Sequence, residues 1–264
     1  MKFNNIHSCQ LGPEISPEHF IPEHFFLYLL AGSMVAYDGR KEYTLQPGDF
    51  AIARKNYPIR YTKYKDGDVF EKIIITLDEP FLQRFLERHP YVVHPVQNEE
   101  AFLFIEDKGR IHPFIQSLEP YYNGGEQIEE TFVDVKREEL LLILLSQQPG
   151  LADILFNFTI PEKIDLEDYM NRNFRFNLSL ERFALMTGRS LSSFKRDFQK
   201  TFGSTPGHWL TQKRLEEAYF LLHTEKRKPN DVYAEVGFED LSHFSFAFKK
   251  RFGKTPAEVR RLAA

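Results

Sequence analysis

The second half of the chain repeats itself at a separation of fifty residues. Leu191, Phe194, Phe198, Phe202, Gly203, Thr205 and Pro206 return as Leu241, Phe244, Phe248, Phe252, Gly253, Thr255 and Pro256. The apolar steps of three, four and four put one side of a helix against a core. Gly203 and Gly253 suit the left-handed residue that closes such a helix. Thr205-Pro206 and Thr255-Pro256 supply an N-cap and a first-turn proline for a following helix, and Glu258 completes a capping box.

Each copy is preceded by a shorter helix that ends at a glycine. Ser179 caps a helix through Leu180, Phe183, Ala184 and Met186 to Gly188, and Asn230 or Asp231 caps one through Val232, Tyr233 and Val236 to Gly237. Ser190 and Asp240 are natural N-caps for the second helices. Short helix, glycine turn and second helix make a helix-turn-helix unit. The chain thus carries two, joined by a long helix from Pro206 to His223 whose Trp209, Leu210, Leu215, Ala218, Leu221 and Leu222 face inward.

The outward sides of the second helices carry DNA chemistry. The first offers Ser192, Lys195, Arg196, Gln199 and Lys200, and the second Ser242, His243, Phe246, Lys249, Lys250 and Arg251. Polar side chains near a helix start reach base edges, while cations further along meet phosphates. Net charge agrees once the chain is divided. Residues 162–264 hold 19 Lys and Arg against 14 Asp and Glu, whereas the remainder holds 15 against 24. An acidic front and a basic rear suit a two-domain protein with a polyanion-binding tail.

From Leu178 to Arg261 the chain resembles the DNA-binding domain of the AraC/XylS family of regulators. The carriers are Ser179-Leu180-Glu181, Arg214-Leu215-Glu216-Glu217-Ala218, and Val236-Gly237-Phe238-Glu239-Asp240-Leu241-Ser242-His243-Phe244 through Phe252-Gly253-Lys254-Thr255-Pro256. The resemblance implies two recognition helices in adjacent major grooves of double-stranded DNA. It makes Ser192, Lys195, Arg196, Ser242, His243 and Phe246 the base-contacting candidates, and Gln199, Lys200, Lys249, Lys250 and Arg251 the phosphate candidates. Phe246 departs from the family, where arginine is common. Phenylalanine cannot hydrogen-bond guanine, so the residue either touches a thymine methyl or packs.

The front half reads as short strands, Phe25–Leu30, Ser33–Tyr37, Lys41–Leu45, Phe50–Arg54, Ile59–Lys65 and Phe70–Leu77, separated by turn residues such as Asp38-Gly39 and Asp66-Gly67-Asp68. Leu45-Gln46-Pro47-Gly48-Asp49-Phe50 resembles a turn of cupin barrels. The fold class expected is therefore α+β: an N-terminal cupin-like β-barrel with helices, then an all-α domain of two helix-turn-helix units joined by a long helix. Amphipathic helices are expected at Glu79–His89 and Ile111–Tyr122, and a longer one at Ile128–Gln147. The last is apolar all round through Leu140–Leu145, so it must be buried on more than one side. Either a second subunit covers the far side, making Leu141, Leu142, Leu144 and Leu145 dimerisation candidates, or Gly150–Phe158 folds over it. The expected division is a sensor or regulatory barrel in 1–125, a helical dimerisation segment and linker in 126–161, and the DNA-binding domain in 162–264, with the boundary near Thr159-Ile160-Pro161-Glu162-Lys163.

Other functions are disfavoured. No His-x-His occurs between Gly32 and Gly48, Tyr61 stands where a later cupin ligand histidine is expected, and Cys9 is the single cysteine. Metal chemistry, any other cofactor and alkyl transfer to cysteine are not expected, and neither is an enzyme. No apolar run is long enough to span a membrane and no secretory signal opens the chain, which suits the cytoplasm. The function expected is a sequence-specific transcription regulator, a homodimer whose front domain answers a small-molecule effector or a protein partner and whose tail binds promoter DNA with scope for RNA polymerase contact. A cupin enzyme with a DNA-binding tail is the other reading.

Overall fold

The computed structural model describes residues 6–9, 20–67, 69–95, 100–107, 109–121, 130–159 and 162–262. Asp68 of one predicted turn, Ile128 at the start of the predicted long helix, and Ile160 and Pro161 of the predicted boundary lie outside them. The chain divides into two compact units, the first running to Thr159 and the second from Ile160.

In the first unit, strands β1 (Ile6–Cys9), β2 (Phe20–Ile21), β3 (His24–Ala31), β4 (Ser33–Tyr37), β5 (Glu42–Leu45), β6 (Phe50–Ala53), β7 (Tyr57–Pro58), β8 (Arg60–Tyr64), β9 (Glu71–Leu77) and β10 (Phe102–Ile105) form three antiparallel sheets. Their orders are β1-β9-β3-β6-β10, β2-β7 and β5-β4-β8. None closes on itself, so the expected cupin-like barrel is not formed. The physical reason is visible at Gly32, which splits what could be one long strand. Its φ of +78° sends β3 into one sheet and β4 into another. Tight turns dictate where strands reverse but not which edges meet.

The five-stranded sheet is buried on both faces, and alternation sorts its residues. Leu27, Leu29, Ala51 and Ala53 meet Met34, Ala36, Tyr43 and Leu45 of the three-stranded sheet. Phe26, Phe50, Ile52 and Ile75, one position out of phase, meet the helices α1 (Glu79–Arg88), α2 (Ile111–Gln116), α3 (Glu130–Gln147) and α4 (Leu151–Leu155). Predicted Ile111–Tyr122 is shorter than expected, a helix to Gln116 followed by a 3-10 turn at Glu119–Tyr121. α4 covers the second side of α3, and Leu141, Leu144 and Leu145 are interior at 0%, 0% and 2% exposure. Of the four leucines singled out for dimerisation, Leu142 alone reaches the surface, at 40%.

α3 is fastened to α1 by Arg137, whose guanidinium lies 3.9 Å above the Phe81 ring, donates to Asp134 at 2.9 Å and bonds Asp78. Asp78 also caps α1 by accepting from the Phe81 amide at 3.0 Å.

In the second unit, α5 (Leu166–Asn173), α6 (Leu180–Met186) and α7 (Leu191–Phe202) pack on the start of α8 (Pro206–His223), and α9 (Pro229–Glu235), α10 (Leu241–Phe252) and α11 (Pro256–Leu262) pack on its remainder. The two cores share a plan. Phe194 and Phe198 of α7 join Phe183, Met170 and Leu210. Phe244 and Phe248 of α10 join Val232, Leu215 and Leu222. α8 thus divides its inward residues between the cores.

Glycine is required at four helix ends for two different reasons. At Gly237 (φ +94°) an added Cβ would stand 2.5 Å from the Arg175 carbonyl oxygen, and at Gly188 (φ +65°) it would stand 2.4 Å from the backbone of Glu162. At Gly203 and Gly253, φ is positive but nothing lies within 4 Å of a Cβ, so only the backbone conformation selects glycine there. Gly253→Ala should cost about 1–2 kcal/mol in urea unfolding. Gly237→Ala and Gly188→Ala add a backbone collision and should abolish cooperative unfolding of the helical unit; equal losses at all three positions would refute the close-approach argument.

The front unit carries a built-in acid sensitivity at His24, which is 3% exposed. Burial, reinforced by the Lys55 and Arg54 charges, keeps its imidazole neutral and pushes its pKa down to about 3. Its Nδ1 accepts from the Lys55 amide at 3.2 Å. An unfolded chain takes up this proton near its ordinary value of about 6.5, so the folded state is favoured fully above that pH and loses ground as pH falls from about 6.5 toward 3. Urea unfolding at about pH 7 and about pH 5 should show a loss to which His24 contributes about 2 kcal/mol. His24→Asn should remove that share, and an identical loss in variant and wild type would count against it.

Candidate nucleic-acid interface

Local chemistry builds the two helix-turn-helix units nearly as expected. Ser179 caps α6, accepting from the Arg182 amide at 3.3 Å, and Ser190 caps α7, accepting from Ser193 at 3.3 Å. Asp240 caps α10 by accepting from the His243 amide at 2.7 Å. At the end of the unit, Thr255 and Glu258 form the reciprocal capping box, with Glu258 accepting from the Thr255 amide at 2.6 Å and Thr255 accepting from the Glu258 amide at 3.3 Å. α9 differs from expectation. Its first residue is Pro229 and its cap is Lys228, without a side-chain bond, so Asn230 and Asp231 lie inside the first turn. Proline presets the first helical φ and needs no amide partner, which displaces the cap upstream.

The turn between α6 and α7 is held by Arg189. Its guanidinium donates to the Thr187 carbonyl at 2.6 Å, the Ile164 carbonyl at 3.0 Å and Asp197 of α7 at 3.2 Å. That last bond, with the Lys163 and Arg196 charges beside it, holds the Asp197 carboxyl below its usual range. Thr187 is fully buried and donates back into α6, to Phe183 at 2.9 Å. α7 is therefore fixed at its first turn and along its inner side.

Within the helical unit, the segment after α5 and the turn before α10 are fastened together by Arg214 of α8. It donates to the carbonyls of Phe174 and Phe176, both at 2.7 Å, which lie just beyond α5. Its Nε also lies 2.9 Å from where a Cβ on Gly237 would be. Burial lowers its pKa to about 10, leaving it charged at neutral pH. Alongside, Arg175 bonds Glu217 of α8.

With the inner sides so engaged, Ser192, Lys195, Arg196, Gln199 and Lys200 on α7 are all exposed, as are Ser242, His243, Phe246, Lys249, Lys250 and Arg251 on α10. Their surroundings differ. Arg196 donates to Ser193 at 3.3 Å and lies 3.5 Å from Asp197. The His243 ring stands edge-on to Phe238 at 5.6 Å between centroids. Arg251 donates through Nε to Gln212 of α8 at 2.6 Å, which orients its outer nitrogens. Phe246 is 71% exposed.

Sequence reasoning missed α5, although Asp165 and the spacing of Leu166, Tyr169 and Met170 were its signal, and Asp165 does cap it, accepting from Asp168 at 2.6 Å. It also gave no structural role to Arg189 or Arg214, since a half-buried arginine looks like any other cation in a sequence. Among the described residues no group of three or more His, Cys, Asp and Glu could hold a metal ion, and no helix is long and apolar enough to cross a membrane.

Comparison with known proteins assigns both units. Residues 24–154 match the ExsA N-terminal regulatory domain, and residues 183–262 match a helix-turn-helix domain. The chain is 26% identical over 244 residues to the virulence regulon transcriptional activator VirF of Yersinia enterocolitica, covering 89% of this chain and 88% of that one. It is 26% identical over 244 residues to the HTH-type transcriptional regulator ExsA of Pseudomonas aeruginosa, covering 88% and 84%. It is 33% identical over 245 residues to an HTH-type transcriptional regulator of Haemophilus influenzae, covering 84% and 80%. These relatives are transcription regulators, not enzymes, and the front match is to a regulatory domain of the ExsA type where a cupin was expected. The chain belongs to the AraC/XylS family of helix-turn-helix transcription regulators, a sequence-specific DNA-binding protein with an ExsA-type front domain.

Proposed function

We propose that α7 and α10 enter successive major grooves of promoter DNA. Ser192, Lys195, Arg196, Ser242, His243 and Phe246 meet base edges there, and Gln199, Lys200, Lys249, Lys250 and Arg251 meet phosphates. The observation that carries this reading is the pairing of two helices with the same left-handed glycine C-cap, equivalent buried phenylalanines and an exposed outer stripe. In this reading residues 162–264 are the DNA-binding part, 1–125 the regulatory part and 126–161 the segment that links them and dimerises. VirF is named a transcriptional activator. By that likeness this chain activates transcription in the cytoplasm through contact with RNA polymerase, under control of an effector or a protein partner.

Affinity of the full chain for a selected duplex should fall steeply with salt in gel-shift titrations. Arg196→Ala should relax base preference at one position, because an arginine–guanine pair discriminates by roughly 1–3 kcal/mol. Lys250→Ala should weaken all sequences alike and reduce the log–log salt slope by about 0.9. Proportional loss of specific and non-specific binding in both variants would refute the division of roles.

For assembly, the occupant proposed for the outer side of α3 is a second copy of the chain. Phe132, Val135 and Leu142 are exposed at 37%, 63% and 40%, with Glu139 between them. The spacing of 132, 135, 139 and 142 is the three-four alternation of a helix–helix seam. A two-fold pair would place two DNA-binding parts at adjoining sites. Leu142→Glu should give a folded monomer in sedimentation, while Leu144→Glu, a core change, should unfold the front unit. A wild type that sediments as a monomer at micromolar concentration would end the dimer proposal.

A further inference from the structure

Phe246 is the exposed large apolar side chain on the outer stripe of α10, and at 71% exposure it is not core. On a helix, positions 242, 243, 249 and 250 are its neighbours at three and four residues, so the ring is surrounded by Ser242, His243, Lys249 and Lys250, all exposed. The alternative of packing has no support, since the phenylalanines that build this core are Phe244 and Phe248, both fully buried, with Phe238 beside them. An exposed phenyl ring contributes nothing to the fold and leaves apolar area in water, so its value lies in what covers it.

In the major groove every base presents hydrogen-bonding atoms, and the apolar group among them is the C5-methyl of thymine. A phenyl ring leaves guanine O6 and N7 desolvated and unpaired, which is unfavourable, whereas it shields a methyl from water. The neighbouring cations bring the ring to the groove by meeting phosphates on either side of it. We propose that Phe246 is a specificity-determining residue that selects thymine by contact with its C5-methyl, so that the second helix-turn-helix unit reads part of its site by apolar contact. The proposal rests on the placement of α10 in the major groove.

The test uses the full chain and a duplex it has selected from random sequence. Each thymine is replaced in turn by deoxyuridine, which removes the methyl and leaves the hydrogen-bonding pattern unchanged. At one thymine in the half bound by the second unit, wild-type affinity should fall about fourfold, the worth of one buried methyl group. Phe246→Ala should bind the unmodified duplex correspondingly less well and show no further loss on that replacement, while Phe246→Leu should keep much of the methyl dependence. Placing 5-methylcytosine at the same position should recover part of the affinity lost with cytosine, for wild type only. If Lys250→Ala weakens binding but no thymine shows a methyl dependence lost in Phe246→Ala, the thymine proposal is overturned and the groove placement stands. If Lys250→Ala and Phe246→Ala both leave binding and its salt dependence unchanged, α10 is not on the DNA and the placement itself is overturned.

Discussion

The arrangement of α7 and α10 depends on one half-buried cation, the guanidinium of Arg214. Helix α5 ends with carbonyls that no amide of its own can reach, and the chain beyond it must cross toward α6. Arg214 donates to the Phe174 carbonyl and to that of Phe176, which also accepts from the Leu178 amide, and the Nε that meets Phe174 lies beside the glycine turn before α10. A planar fork with several donors can serve two carbonyls at once, which a lysine ammonium does less well. Desolvating the charge is costly, and its lowered pKa reports that cost. Two strong charge-assisted bonds offset it, and the segment after α5, α8 and the turn before α10 are held in one frame.

This frame explains why the outer stripes of α7 and α10 carry such different chemistry without disturbing the fold. Their inner residues repeat almost letter for letter, because each must fill the same kind of cavity beside α8. Their outer residues make few internal bonds, so Lys195-Arg196 on one helix and Ser245-Phe246 on the other occupy equivalent places at no cost to packing. Arg251 is the exception, since its bond to Gln212 ties the end of α10 to α8 and limits where its remaining donors point.

What the sequence revealed follows the range of the interactions involved. Caps at Ser179, Ser190 and Asp240 and the Thr255–Glu258 box are bonds between residues three apart, so residue type and position suffice to foresee them. The buried phenylalanines follow from period alone. Beyond the short bond of Arg189 to Thr187, Arg189 and Arg214 act across 8 to 40 residues, and residue type alone does not distinguish them from surface cations. The front domain shows the same limit. The six strands expected came within a residue of those observed and β1, β2, β7 and β10 were not foreseen, yet closure into a barrel depends on which edges pair, and the break at Gly32 sends β3 and β4 to separate sheets. The leucine run of α3 had two readings because periodicity says how many sides need cover but not what supplies it. α4 joins the sheet, α1 and α2 in supplying that cover.

The opposed charges of the two halves add a constraint that no single contact expresses. The rear surplus of positive charge raises the encounter rate with DNA, while the front excess of 24 acidic over 15 basic residues repels it. A front domain with a surplus of cations would compete with the helical unit for phosphates. An acidic one leaves the helical unit as the surface that the polyanion can approach. Both effects are screened beyond a Debye length of about 8 Å at physiological salt, so they act on approach and orientation rather than on the final base contacts. In the reading proposed above, selectivity for sequence is then left to the few exposed side chains of α7 and α10.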